Sequence, residues 1–337
     1  MKSHVLLFRL FLLLPAAPTA SAATLPRGGT AVVRIGCYNV ESLYDTVADP
    51  LVRDAEYTPE GRKRWNTTRY REKIGRLARV IDDLGADLLA LAEVENEQVV
   101  RDLVEALGTD YNYIHRHTGD RRGMDMALLY KGALFFPDTV WQMSDRRLSR
   151  EPLVVGGTIA GERLTLVVCH MPSQINRAKY RSAAFEALHR SAEALLSETP
   201  GGKVVLLGDF NTPPDSPDAR RLKASAGTAR TGAESPETGA APLLCPFDRA
   251  GHRGCGSYAY RDRWLLYDYM LLSPALVSGS GLRYAERCGI FVRDYMLHAE
   301  GARRGYPRRS FDGTAYTGGS SDHLPVFIEL EMPREDE

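Results

Sequence analysis

Asp209 and Asn211 sit two residues apart in Gly208-Asp209-Phe210-Asn211, directly after the apolar run Val204-Val205-Leu206-Leu207. A carboxylate and an amide at the mouth of a buried strand can orient a water and a phosphoryl oxygen together. Near the other end of the chain, Ser321-Asp322-His323 leads into the strand-like stretch Leu324 to Leu330. That triplet sets a metal-binding carboxylate beside an imidazole able to take a proton. The two segments together suit metal-assisted phosphoryl chemistry.

Reading every strand with its ends enlarges the set. Asn39 follows Val32 to Tyr38, Glu93 follows Ala90-Leu91-Ala92, and His170 follows Val168-Cys169, while Asp125, Asp268 and Asp322-His323 precede their strands. If the second group of strands runs antiparallel to the first, all these positions meet on one rim. Glu93 and Asp322, with Asn39 and Glu41, are hard oxygen donors of the kind Mg2+ or Mn2+ prefers, and too few to close a protein cage. His323 is the candidate general base, with Asp268 fixing its tautomer. His170, Asp209 and Asn211 are placed to contact phosphoryl oxygens or the leaving group. Plainer readings exist residue by residue: Asn39 and Asn211 as turn residues, Asp268 as a strand opener, His170 as a strand-end histidine. Asp125 stays outside the catalytic set, and His115 and His117, alternating along a strand, read as surface residues.

The elements that must position these groups alternate along the chain. Expected strands are Val32 to Tyr38, Leu88 to Ala92, Met126 to Tyr130, Leu164 to Cys169, Val204 to Leu207, Tyr269 to Leu272 and Leu324 to Leu330. Expected helices are Thr68 to Leu84, where Ile74, Leu77, Ala78, Ile81 and Leu84 form one apolar face and Gly85 is the stop, then Glu97 to Leu107 and Arg177 to Leu196. The strands are continuous apolar runs, which implies burial on both faces and helices packed outside central sheets. No repeat divides the chain, and Ala224 to Ala241 reads as a surface excursion.

At 337 residues the chain can bury a large core, and its 43 basic residues balance 43 acidic ones. No global basic field announces a nucleic-acid binder, although a local groove can hide in a neutral total. Residues 1–22 read as a secretion signal: Lys2 and Arg9 flank or enter an apolar run, and Ala20-Ser21-Ala22 offers a cleavage site. The mature chain is then a single domain over 23–337, secreted or periplasmic. No later stretch reaches the roughly 18 apolar residues of a membrane span. Of five cysteines, Cys37 and Cys169 read as core, Cys245 and Cys255 could close a loop, and Cys288 is left without a partner.

The segments Cys37-Tyr38-Asn39-Val40-Glu41-Ser42-Leu43, Ala92-Glu93-Val94-Glu95-Asn96, Gly123 to Tyr130, Cys169-His170-Met171-Pro172-Ser173, Gly208-Asp209-Phe210-Asn211, Trp264 to Ser273 and Ser321-Asp322-His323-Leu324-Pro325-Val326 resemble, in this order, those of the endonuclease/exonuclease/phosphatase superfamily. The resemblance spans nearly the whole mature chain. It implies a DNase I-like α/β (α+β) fold, a four-layer α/β/β/α sandwich of two mixed sheets with outer helices. It also implies Mg2+- or Mn2+-dependent phosphoester cleavage, water attacking phosphorus in line. Glu93 would be the main metal ligand, with Asn39 at the metal and phosphate and Asp322 beside the metal. Asp209 and Asn211 would orient water and phosphate, His170 would contact the phosphate or leaving oxygen, and Asp268 would orient His323.

Within that superfamily, Tyr57-Thr58-Pro59-Glu60-Gly61, Trp65 to Tyr70 and Gly256-Ser257-Tyr258 with Arg261 and Trp264 are similar to exported bacterial members of unassigned substrate. The tyrosine that abasic-site repair enzymes place before the strand at Met126 is missing, its place taken near Gly123-Met124. Arg122 and the stretch Arg303 to Arg309 with Tyr316 supply candidate substrate-binding residues: Arg122, Arg309 and Tyr316. The expected activity is that of an exported phosphoesterase, monomeric, with an extracellular nuclease acting on nucleic acid as one reading. Lipid-headgroup or inositol-phosphate hydrolysis is the alternative, and a catalytically silent adhesion domain is the alternative of another class.

Overall fold

The computed structural model describes residues 31–225, 242–248 and 256–332. The expected signal at 1–22 lies outside these residues, as do most of the expected excursion and Cys255, on which the pairing with Cys245 depends. The first part of the chain forms β1 (Val32–Leu43), α1 (Thr67–Leu84), β2 (Leu88–Val94), α2 (Glu97–Ala106), β3 (Asn112–Arg116), β4 (Asp125–Tyr130), β5 (Phe135–Gln142), β6 (Leu153–Ile159) and β7 (Glu162–His170). The second part forms α3 (Ala178–Glu198), β8 (Lys203–Asp209), α4 (Pro217–Lys223), β9 (Tyr258–Tyr260), β10 (Arg263–Leu265), β11 (Asp268–Leu272), α5 (Pro274–Ser278), β12 (Arg283–Ile290), β13 (Phe311–Asp312), β14 (Ala315–Tyr316) and β15 (Val326–Glu331).

These strands make a six-stranded sheet in the order β12-β15-β1-β2-β4-β3 and a five-stranded sheet in the order β11-β8-β7-β6-β5, with two small hairpins, β9-β10 and β13-β14. Within each sheet one pair is parallel, β1 with β2 and β7 with β8, and the other pairs are antiparallel. The two mixed sheets and flanking helices are the α/β sandwich that the sequence leads one to expect.

The continuous apolar runs serve two cores at once. Side chains alternate along a strand, so Leu88 and Ala90 of β2 pack with the second sheet while Leu89 and Leu91 face Leu77 and Ile81 of α1. α3 contributes Phe185 and Leu188 to the apolar cluster of the second sheet. α1 starts where Asn66 accepts a hydrogen bond from Arg69 N and stops at Gly85, whose φ of 61° is the left-handed cap that glycine adopts without strain. Cys37 and Cys169 are buried and free, and Cys288 is exposed and free.

Two expectations change. β1 runs on to Leu43 instead of ending at Tyr38, through a register shift between Asn39 and Leu43. His115 is not a surface residue: its side chain is 10% exposed and its Nε2 lies 3.1 Å from Asp125 Oδ2, whereas His117 is 60% exposed. Asp125 is fully buried, accepts hydrogen bonds from Thr118 N and Oγ1, and ties the end of β3 to the start of β4.

Candidate active site

The strand ends converge as their directions require. β4 and β11 begin opposite the ends of β2 and β8, and β15 begins opposite Cys37, two residues before Asn39 of β1, because each runs antiparallel to its neighbour. At that rim the backbone leaves regular strand geometry. Glu93 has a φ of 67°, Glu41 and Ser42 have 51°, and Asn211 has 51°. The ladder shifts register on both sides of Glu93, between Ala92 and Val94 and between Asn39 and Leu43. Left-handed backbone at non-glycine residues costs about 1–3 kcal/mol each and persists where the fold needs a side chain re-aimed. Here it turns Glu93 into the cleft.

Glu93 and Asp209 meet through Asn39, whose Nδ2 donates to Glu93 Oε1 and to Asp209 Oδ2, each at 3.0 Å. Asn39 Oδ1 accepts from Glu41 N at 2.9 Å, while the Nδ2 of the same amide faces the two carboxylates. Ser42 N and Oγ donate to Glu93 Oε2 at 2.8 and 3.3 Å. His170 Nε2 lies 3.6 Å from Glu93 Oε1 and 3.7 Å from Asp209 Oδ2. Asn211 Nδ2 donates to Asp209 Oδ2 and to Met171 O, and Asn211 N donates to Asp209 Oδ1 at 2.8 Å.

On the far side of Asp209 stands the imidazole of His323. Its Nδ1 is 2.7 Å from Asp268 Oδ2 and its Nε2 is 4.0 Å from Asp209 Oδ2. Asp268 N is held by Ser257 Oγ, while Ser321 Oγ accepts from His323 N and donates to Asn39 O. Burial alone would lower the affinity of His323 for a proton, but Asp268 and Asp209 outweigh it and hold the imidazole well above its ordinary value. His170 goes the opposite way, pushed well below by burial and then by Arg150 and Arg122. Burial, then Asp268, raises the Asp209 carboxyl to about 7. The two histidines are therefore set apart, one as a proton holder and one as a neutral imidazole.

Asp322 is ion-paired with Arg309, whose Nε lies 3.9 Å from Glu41 Oε1. Lys73, buried on the inner face of α1, donates to Glu41 O. Burial, then Asp322, raises Glu41 to about 7, and burial lowers Lys73. Arg122 and Arg309 line the same cleft of ≈ 870 Å³ as Glu93, His170, Asp209, Asn211, Asp322 and His323. Tyr316 does not. Its hydroxyl bonds Arg76 and Glu72 on α1 and its ring packs on Phe311.

Sequence reasoning missed Ser42, Lys73 and Arg150. Lys73 carried a signal, a lysine on the apolar stripe between Tyr70 and Leu77. Arg150 carried none: it is buried, pairs with Asp120 at 2.8 Å, and donates to His170 O and Met171 O from a distant part of the chain.

The donor set fits a divalent cation. Glu93, His170 and Asp209 each offer an atom within 4.8 Å of the others, as do Asp209, Asp268 and His323. Asp322 belongs to neither group, its carboxylate being engaged by Arg309.

Solved structures show the same fold. ANGEL2, described as a 2',3'-cyclic phosphatase, matches with 17% identity and a TM-score of 0.58 over 89% of this chain and 95% of that one. A humanized D. rerio TDP2 matches with 14% identity and a TM-score of 0.57 over 89% and 99%. A Bacteroides thetaiotaomicron mannosyl-6-phosphatase matches with 16% identity and a TM-score of 0.52 over 88% and 99%. None of the curated proteins matches this sequence. The family model covers residues 34–332, and the chain belongs to the Endonuclease/Exonuclease/phosphatase family.

Proposed function

We propose that this chain is an exported hydrolase that cleaves a phosphodiester or phosphomonoester by in-line attack of water, with Mg2+ or Mn2+ as cofactor. One observation carries the reading: His323, Asp209, His170 and Glu93 form an unbroken series of close contacts along the cleft, with Asp268 buried behind His323. A bound cation would supply charge compensation on the phosphoryl oxygens, and Glu93, His170 and Asp209 are the residues that would hold it. Asp268 keeps a proton on His323 Nδ1, which leaves Nε2 to take the proton of the attacking water. Asn39 holds the two carboxylates at fixed spacing, and the Asn211 side chain fixes Asp209 from its other side by donating to Asp209 Oδ2 and to Met171 O. Export rests on the residue pattern of 1–22. Nucleic acid is one substrate class for this site, and a TDP2 neighbour was solved with a single-stranded DNA product.

The test is hydrolysis by the mature chain from Ala23 of plasmid DNA, RNA, bis-nitrophenyl phosphate, sphingomyelin and inositol phosphates, with Mg2+, Mn2+ or chelator. Metal-dependent turnover that His323→Ala abolishes is the expected result. Absence of turnover on every member with either metal would overturn the reading and favour a silent scaffold.

A further inference from the structure

The wall beyond His323 is built from rings. Tyr258 and Tyr260 occupy alternate positions of β9, so both project from one face of the β9-β10 hairpin. Their rings are 13° from parallel with centroids 6.5 Å apart, and Tyr267 lies 16° from parallel with Tyr258 at 5.6 Å. The series starts at the reaction centre. The Tyr258 ring lies 4.7 Å from the His323 ring, and Leu324 N donates to Ser257 O at 2.7 Å, which clamps the hairpin to the segment carrying His323.

A tyrosine stack that served only as core would bury its outermost ring. Tyr260 is instead 52% exposed, and it lines the cleft together with Tyr258 and Tyr267. The guanidinium of Arg261 sits 5.2 Å from the Tyr260 ring. Arg261 and Asp262 form the two-residue turn with φ of 49° and 58°, a primed geometry in which Asn or Gly is the low-cost choice. Arg261 stands there despite its left-handed backbone and places a planar cation at the cleft. Rings in near-parallel order beside one planar cation favour a flat aromatic ligand, because stacking is tolerant of base identity. Arg261 is the cation that the hairpin itself brings to the cleft, which Lys63, Arg122, Arg150 and Arg309 also line and where they can meet the phosphates of the same ligand.

We infer that the Tyr258–Tyr260 face of the hairpin is a stacking subsite for an unpaired nucleobase next to the scissile phosphate, so that the substrate is a single-stranded nucleic acid or short oligonucleotide. This rests on the phosphoester-hydrolase reading and narrows it.

The experiment compares a short oligothymidylate with an abasic deoxyribose-phosphate oligomer of equal length, using the mature chain with Mg2+ and the variants Tyr260→Ala, Tyr260→Phe and Arg261→Gly. A uridine oligomer separates RNA from DNA. In the wild type, kcat/KM is expected to favour the base-bearing oligomer. Tyr260→Ala should raise its KM roughly 5- to 150-fold, the scale of one lost base stack, with the loss on KM rather than kcat, and Tyr260→Phe should restore it. The ratio between the two oligomers should fall towards one in the alanine variant. Equal cleavage of both oligomers by the wild type, or an unchanged KM in Tyr260→Ala, overturns the inference while leaving phosphoester hydrolysis intact. If neither oligomer nor bis-nitrophenyl phosphate is cleaved, the hydrolase reading fails instead. Stacking is then still decided by quenching of a 2-aminopurine oligomer on wild-type protein, expected to be lost in Tyr260→Ala. No quenching in the wild type overturns it.

Discussion

His323 Nδ1 and Asp268 Oδ2 are 2.7 Å apart in a buried pair, and the other imidazole nitrogen faces Asp209 at 4.0 Å. This fixes which nitrogen can act on water. Asp268→Asn should lower kcat about 10²- to 10⁴-fold, the usual scale of positioned acid–base catalysis. It should also move the pH profile in a defined direction. Burial lowers the His323 value, and Asp268 is the first of the groups that raise it. Without Asp268 the imidazole loses its proton at lower pH, so the acidic limb of kcat should shift down. An unmoved limb in pH–rate profiles of the two proteins at saturating Mg2+ would remove His323 from the role of base.

Glu93 is held by Ser42 on one oxygen and Asn39 on the other. Its aim is set before any cation arrives. With Mg2+ at about 100 times its Kd, binding should stabilise the wild type by about 2.7 kcal/mol. Glu93→Gln, similar in shape and neutral, should lose most of that gain in thermal unfolding with and without chelator. Equal gains in both proteins would place the cation elsewhere.

Gly208 has a φ of +141°, and a Cβ added there would sit 2.0 Å from Cys169 O. β7 and β8 are parallel neighbours at this point, pairing Cys169 with Gly208 and His170 with Asp209. Gly208→Ala must therefore push the strands apart beneath two site residues. A loss of about 1–3 kcal/mol in denaturant unfolding is expected from the backbone term alone, together with reduced turnover. Wild-type stability in that variant would show that the close approach is relaxed in solution.

How far the site was legible follows from where its signals lie. Asp209, His170 and Glu93 terminate continuous apolar runs, and a run buried on both faces is readable without tertiary knowledge. β5 escaped notice because it is an edge strand with Pro137 inside it and Phe136 and Trp141 exposed, so no apolar run marks it. β12 is largely exposed for the same reason. Tyr316 was expected at the substrate because its loop leads to Asp322. The loop instead doubles back as β13-β14 and lays Tyr316 on α1. The Asp322–Arg309 pair has no local signature either, since a half-buried ion pair between two segments is chosen by how those segments pack. His115 alternates like a surface residue, yet Asp125 draws its ring inwards.

Glu95 offers a test of burial away from the catalytic contacts. It is buried, its Oε2 accepts from Asp45 N at 2.8 Å, and its Oε1 has no partner among the described residues. Burial is the largest cause raising its carboxyl, and Asp45 and Asp54 add to it, from an ordinary 4.5 to about 9. Between those values the folded chain keeps a proton that the unfolded chain releases. The stabilisation linked to that proton is complete below the unfolded value and is lost as pH rises towards the folded one, at up to about 1.4 kcal/mol per pH unit. Glu95→Gln cannot titrate, and its amide can donate where the protonated acid did. Its stability relative to wild type should therefore increase steadily from about pH 5 to about pH 8, both inside that window, in urea unfolding. A constant difference across that range would mean that Glu95 is ionised in the folded protein and that a cation or water supplies what its Oε1 lacks.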